Sequence, residues 1–548
     1  MSLQNITPSQ SRTFQRLMDA IGQADREQAL SLATEACKGG DDQPLVLMLA
    51  AEKLEEAGEL EQAHKLLQRA IDNEANEPEL WRRYGQLLVR LGRHTEALRA
   101  FEEALDIDPD NSVILQAAGQ LCYRSGLLHP ARKHYDDANR LQPDNPEILA
   151  TLASIHAQLE DATQARELGS RALELSPGNL VAQIAIARAD LLEGKAQDAL
   201  ARVTSMLSGE VDARLALALL DICADAQDAL DRPTEAFAAY SARNAMLEKL
   251  VAPLVTREVK ERRVAQARRM TEFFRSSAAG SWPTDHSTDT GAHPPHAFIL
   301  GFPRSGTTLL EKSLAGHPDV VTLPEIDLLT KAGAELLKSD EGLRRLAKLD
   351  SAELERYRNA YWGSVAEITK TPPGDRLIVD KLPLHTLALP LISRLFPNAR
   401  IIFAVRDPRD VVLSCFRRRF QLNSAMYEFL TLPRATEFYG AVMDLATTFL
   451  PLSPLAVRTV RHEELASDYE AKLGDTLQFL GLDWDEGVRG FNRLARENPR
   501  TPTDLQLIKG LTTQGIGQWT RYREQLEPVL PLLDRWVRHF NYGDESPQ

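Results

Sequence analysis

The chain has 548 residues, 43% of them hydrophobic and 26% charged, which is ordinary soluble-protein composition with room for two or more domains. A formal net charge of -14 speaks against general nucleic-acid binding, so any anion site must be a local basic cluster. The four cysteines, Cys37, Cys122, Cys223 and Cys415, lie far apart without metal-ligand spacing and read as buried thiols in a reducing compartment. The opening residues, MSLQNITPSQ, hold no apolar signal core, and no apolar run reaches the roughly 18 residues of a membrane span. The expectation is a soluble, cytoplasmic protein.

In the first half, Ala29, Ala63, Ala97, Ala131, Ala165 and Ala199 recur every 34 residues. A second series, Ala36, Ala70, Ala104, Ala138 and Ala172, stands seven residues later and ends in Met206. Pro109, Pro143 and Pro177 close three consecutive units, one of which reads W-R-R-Y-G-Q-L-L-V-R-L-G-R-H-T-E-A-L-R-A-F-E-E-A-L-D-I-D-P. The small residues let two helices of a hairpin approach closely, and proline stops the second helix. This pattern resembles the tetratricopeptide repeat. Six units start near residues 10, 44, 78, 112, 146 and 180. A degenerate seventh, about 212–246, has Ala236 out of phase, and a charged helix near 257–274 is expected to cap the stack. The resemblance implies a superhelix over residues 10–275. Its concave face either docks a protein or peptide, or only stabilises the chain.

Residues 276–295, SSAAGSWPTDHSTDTGAHPP, are rich in breakers and read as a flexible linker. His286, His293 and His296 are expected to be solvated rather than metal-bound.

Residues 297–302 form a short apolar run typical of a buried strand, and Pro303-Arg304-Ser305-Gly306-Thr307-Thr308 follows, then apolar residues at helical spacing. A strand, a tight loop and a helix aim backbone N–H groups and a positive helix end at an anion. Residues 301–306 also fit the G-x-x-x-x-G of a nucleotide triphosphatase, but Thr307-Thr308 stands where that loop needs Lys-Ser/Thr. The only strand-end aspartate for magnesium is Asp380, followed directly by Lys381.

P-R-S-G-T-T-L, with H-P-D-V and Glu325 behind it, resembles the 5′-phosphosulfate loop of sulfotransferases that use 3′-phosphoadenosine 5′-phosphosulfate (PAPS), and most of all the tyrosylprotein branch. The resemblance runs from about Ala297 to Tyr542 and implies an α/β, P-loop-like domain over residues 296–545 with a central parallel sheet. By resemblance, Arg304, Ser305, Gly306, Thr307 and Thr308 cradle the phosphosulfate, and Glu325 takes the proton of an acceptor hydroxyl. Lys381, at the C-terminal end of a strand over 377–380, and Arg304 neutralise charge on the bridging oxygen. A second strand, 400–405, leads to Arg406 and Ser414, which match the family's 3′-phosphate site, and Arg418 matches a further arginine there. Arg417, Arg418 and Arg419 also have the plain reading of a solvated helix face, and Cys415 that of packing.

His462 stands where the family has tyrosine in R-Y-E-x-L, so it is either an adenosine contact or a solvated turn histidine. Thr503 falls where the relatives have serine in the C-terminal nucleotide loop, with Lys509 six residues on. Gln518 replaces a lysine before Trp519, which is either part of a lid over the donor or core. The expected function is PAPS-dependent sulfuryl transfer without a metal, PAPS being a co-substrate. The competing expectation is a repeat scaffold whose second half binds nucleotide without catalysis.

Overall fold

The structure, a computed structural model, describes residues 8–258, 261–276, 282–283, 293–370, 374–420, 423–497, 507–508, 510–511, 513 and 515–543. Its internal contacts divide the chain into two compact units, Met1–Arg202 and Val203–Gln548.

The first unit is built from successive helix pairs at the predicted period. Pro8–Gly22 pairs with Arg26–Lys38, Pro44–Glu56 with Leu60–Asn73, Pro78–Arg90 with His94–Ile107, Ser112–Arg124 with Leu128–Leu141, and Pro146–Gln158 with Ala162–Leu175. Leu180–Leu192 and Ala196–Leu207 follow as the sixth pair. Ala63, Ala97, Ala131 and Ala165 are fully buried, as are Ala70, Ala104, Ala138 and Ala172. A Cβ on Gly85 would lie 2.7 Å from the Phe101 ring, and one on Gly119 would lie 2.7 Å from the Tyr135 ring. Overpacking of that kind costs roughly 1–3 kcal/mol, so these positions let an aromatic ring fill the space between paired helices. Asn111, Asn145 and Asn179 each cap a helix through a side-chain oxygen that accepts from first-turn N–H groups. Each stands two residues after Pro109, Pro143 or Pro177, so one short motif ends a helix and starts the next.

The second unit contains five parallel strands in the order β2-β3-β1-β4-β5. They are β1 (His296–Gly301), β2 (Val320–Thr322), β3 (Leu377–Lys381), β4 (Arg400–Val405) and β5 (Ala456–Arg461). β1 and β3 are buried at every position, as continuous apolar runs between two helical layers require. Alternate residues serve opposite cores. Phe298, Leu300, Ile378, Ile401 and Phe403 lie in one, and Ala297, Ile299, Val379, Ile402 and Ala404 in the other.

Three helices N-terminal to the sheet, Ala213–Ala229, Pro233–Glu258 and Arg263–Arg275, belong to this second unit. Here the packing departs from the expectation of a seventh repeat and a cap on the stack. Tyr240, Val264, Met270, Phe273 and Phe274 are buried in the same core as Phe298 and Leu300 of β1. Arg262 pairs with the buried Glu428 at 2.5 Å, and Arg269 donates to Leu337 O at 2.7 Å. These partners lie too far along the chain for a repeat period to reveal them.

The stretch read as a linker lies largely outside the described residues, His286 included. Trp282 within it is buried, with its ring 5.1 Å from Phe274 and 5.4 Å from Phe449. The histidines in the described part are not solvated, which corrects that expectation. His293 stacks on Trp362 at 5.2 Å. His296 opens β1 and is buried, and burial pushes its imidazole down to about 3. The Tyr361 hydroxyl donates to Asp380 Oδ2 at 2.8 Å and so accepts from His296 Nε2 at 2.9 Å.

Candidate active site

Each strand of the sheet delivers a candidate residue at or just beyond its C-terminal end. β1 leads to Arg304, β2 to Glu325, β3 ends at Lys381, β4 leads to Arg406 and β5 to His462. This edge is where open α/β sheets bind ligands.

The loop after β1 needs its glycines. Gly301 has φ 146, and a Cβ there would overlap Ala404 O on β4. Gly306 has φ 91 and is the N-cap of the helix Thr307–Ala315, while a Cβ on it would lie 2.5 Å from His462 Nδ1. Arg304 also has positive φ, at 72. Ser305, Thr307 and Thr308 are buried around the helix N-terminus, whose first N–H groups have no acceptor within the helix.

Arg304 Nε donates to Ser414 Oγ at 3.0 Å, across 110 residues. Arg406 Nη1 donates to Arg304 O at 3.2 Å, and its Nη2 donates to Gly515 O. Burial, then the charges of Arg418 and Arg406, push the Arg304 guanidinium down to about 9. That is a crowded set of cations whose mutual repulsion a bound anion would relieve. Arg418 is exposed at the C-cap of the helix Pro408–Arg417, on which Ser414 lies. His462 is packed on the loop rather than solvated. Burial, then Arg406 and Arg304, push its imidazole down to about 3, so it is neutral.

Lys381 Nζ is paired with Glu325 and, at 2.8 Å, with Glu311. The lysine side chain is 1% exposed and Glu325 is 39% exposed. Burial opposes the ammonium charge, but Glu311 and Glu325 outweigh it and hold Lys381 above the usual lysine range. Glu311 was not singled out from the sequence, because its partner Lys381 lies 70 residues away; the available signal was a carboxylate on a helix with buried neighbours. Also unforeseen is His385, buried beside β3. Its Nε2 lies 3.1 Å from Asp327 Oδ1 and its Nδ1 3.6 Å from Asp380 Oδ1. Asp380, weighed above as a metal ligand, is thus held by His385 and Tyr361.

Of the readings open for the basic helix and the C-terminal segment, solvation fails for Arg417 and core packing holds for Trp519. Arg417 is not solvated: it pairs with Asp228 and lies over the rings of Tyr240 and Tyr522 at 5.4 and 5.1 Å. Trp519 is 2% exposed and packed in the core, with the Arg409 guanidinium 3.9 Å from its ring centroid. Its ring is therefore no open platform for a nucleotide, and its backbone anchors the segment instead. Trp519 N–H donates to Asp410 Oδ1 at 2.8 Å, and Gly517 N–H donates to Asp410 Oδ2 at 2.7 Å. Gln518 accepts from Arg521 at 3.1 Å. Cys415 is buried, and burial raises its thiol well above the usual range, as packing alone requires. Thr503 and Lys509 lie outside the described residues.

Residues 295–486 match the model of the sulfotransferase family. That stretch is a sulfotransferase domain, and it begins at β1 and runs past β5. Tetratricopeptide-repeat models match residues 48–112 and 88–155 of the first unit. An uncharacterized protein from Aquifex aeolicus is 27% identical over 248 residues, 43% of this chain and 32% of that protein. The chain therefore spans about a third of that relative's length. Protein-tyrosine sulfotransferase 2 from Gallus gallus is 25% identical over 285 residues, 46% of this chain and 73% of that protein. Protein-tyrosine sulfotransferase 1 from Danio rerio is 28% identical over 286 residues, 46% of this chain and 76% of that protein. The sulfotransferase domain thus has distant tyrosylprotein relatives, and the strand-end residues above lie inside the matched stretch.

Proposed function

We propose that the second unit transfers a sulfuryl group from PAPS to an acceptor hydroxyl of a protein tyrosine, a carbohydrate or a small molecule. The observation that carries this reading is the convergence of Arg304, Lys381 and Arg406 from three parallel strand ends, with Glu325 paired to Lys381. The residues present fit the donor. Arg406 Nε and His462 Nδ1 are buried without a partner among the described residues, and the glycine loop leaves the helix N-terminus open to an anion.

In this reading Glu325 takes the acceptor's proton as its oxygen bonds to sulfur. The bond from sulfur to the bridging oxygen breaks, and its electron pair stays on the nucleotide 5′-phosphate. Lys381 and Arg304 stabilise that charge without reorganising. Glu311 gives Lys381 a second carboxylate partner, so the ammonium stays charged while Glu325 carries the proton. Arg406, Ser414 and Arg418 hold the 3′-phosphate, and by resemblance Thr503 belongs to the C-terminal nucleotide loop. Fixed cations take the part that magnesium plays in phosphoryl transfer.

The repeat unit docks a protein or peptide and raises the local concentration of acceptor at the site. A cytoplasmic setting is proposed with it, because all four cysteines are free thiols. Among the described residues no helix is long and apolar enough to cross a membrane. The test is transfer of sulfur label from PAPS to a panel of hydroxyl acceptors in EDTA. Label should move to an acceptor. Label that stays on a tightly bound nucleotide across the whole panel would favour the non-catalytic scaffold.

A further inference from the structure

The helix Pro408–Arg417, which carries Ser414 and follows Arg406, has its C-terminal end closed by the helix Pro233–Glu258. Arg243 donates from Nη1 to Arg417 O at 2.9 Å and from Nη2 to Phe416 O at 3.2 Å, and Asn244 Nδ2 donates to Phe416 O at 3.0 Å. A cation at a helix C-terminus is favourably placed against the dipole and satisfies its last carbonyls. Arg243 is 1% exposed, so it must be fully bonded. It is: Asp221 accepts from Nη1 at 2.6 Å, and Asn244 Oδ1 accepts from Nε at 3.1 Å and Nη2 at 2.9 Å. Every N–H of the guanidinium fork is used.

A second contact ties the same helices to the C-terminal segment. Asp228 on Ala213–Ala229 pairs with Arg417, accepts from the Tyr522 hydroxyl at 2.6 Å, and lies 3.1 Å from Arg521 Nη1. Arg521 Nη2 also donates to Asp228 O at 2.7 Å. One carboxylate therefore joins the end of the Ser414 helix to residues 521–522. The near side of that segment is bound to the same helix region, through Arg406 to Gly515 O and through Asp410 to the N–H groups of Gly517 and Trp519.

We infer that Asp228 is a positioning residue of the donor site: it locks residues 515–523 onto the helix that carries Ser414, beside Arg406. The helices 213–258 are then a built-in part of the donor pocket rather than a further docking repeat. This rests on the sulfotransferase reading for its kinetic consequence but not for its structural one.

The test uses the full chain with Asp228→Asn, Asp228→Glu and Tyr522→Phe. Amide hydrogen exchange, measured without nucleotide, should speed up about tenfold over residues 515–523 in Asp228→Asn, the effect of losing a charged hydrogen bond. Strands β1 and β4 should be unchanged, Tyr522→Phe should show a smaller rise, and Asp228→Glu should restore most of the protection. KM for PAPS should rise by a similar factor, with kcat within about threefold. Unchanged exchange at 515–523, or an equal rise in β1 and β4, would overturn the inference. Wild-type protein that neither binds the desulfated product PAP nor turns over PAPS would sink the sulfotransferase reading, while the exchange data still decide the positioning role.

Discussion

On the side of β1 and β4, the candidate residues already hold one another: Arg304 donates to Ser414, Arg406 to Arg304 O, and Arg406 again to Gly515 O. On the side of β2 and β3, the exposed Glu325 reaches the buried Lys381, and Asp327 stands exposed two residues on. In the proposed reading the first side is an anion site whose cations are already held in place. The second is an ion pair that can exchange its partner, as a group meant to take a proton must. Substitutions on the two sides should therefore separate binding from chemistry.

The largest effect is expected at Glu325. Glu325→Gln should lower turnover roughly 10²–10⁴-fold while PAP affinity, measured by titration, stays near wild type. Equal loss of both would move Glu325 to the donor side. Next come Arg406→Ala and Ser414→Ala, which should weaken PAP roughly 10–100-fold, the cost of losing charged hydrogen bonds. Adenosine 5′-phosphosulfate, which lacks the 3′-phosphate, should lose much less. Uniform loss for both nucleotides would mean these residues only support the fold.

A smaller effect concerns the acceptor. The tyrosylprotein enzymes that the sequence resembles carry arginines two and six residues after the glutamate, where this chain has Asp327 and Lys331. Asp327 is held by His385, and although burial works against its charge, His385 keeps its carboxyl below the usual range. Short acidic tyrosine peptides should therefore be poor substrates. Asp327→Asn should improve kcat/KM for such a peptide by roughly fivefold or less, an effect that fades in high salt. No change at low salt would remove Asp327 from acceptor choice.

The smallest effect is in pH dependence. Burial opposes the charge of His385, yet Asp380 and Asp327 prevail and raise it above the ordinary histidine value. A raised folded value means that its stabilisation is complete below about pH 6.5 and is lost as pH climbs through that raised value. His385→Gln should lower Tm by roughly 2–4 °C at about pH 6 and by less at about pH 9. A Tm gap that widens with pH would contradict the assignment.

Much of the fold could be read from local pattern. The alanine period located the helix pairs of the first unit, and the apolar runs at 297–302, 377–380 and 400–405 located β1, β3 and β4. Arg304, Lys381, Arg406 and Ser414 were singled out chiefly through the family resemblance, and the structure places each after a strand or on the helix that follows one. What stayed hidden depends on partners distant in sequence. Arg243 is unremarkable until Phe416 O and Arg417 O are placed beside it, and helices 213–275 look like more repeat until their apolar faces are found in the sheet's core. Glu311 and His385 were missed for the same reason, since only the folded sheet brings them to Lys381 and Asp380. Trp519 was open between lid and core in the sequence, and Arg409 and the core close over its ring.

The proposed donor site reads a 3′-phosphorylated adenine nucleotide through strand-end cations. The most direct measurement is calorimetric titration of the full chain with PAP in EDTA, set beside ATP with magnesium. PAP should bind without metal at least about tenfold more tightly than ATP, in line with the charged contacts that a 3′-phosphate adds. Binding of ATP that matches or exceeds PAP, or that needs magnesium and ends in hydrolysis, would contradict it.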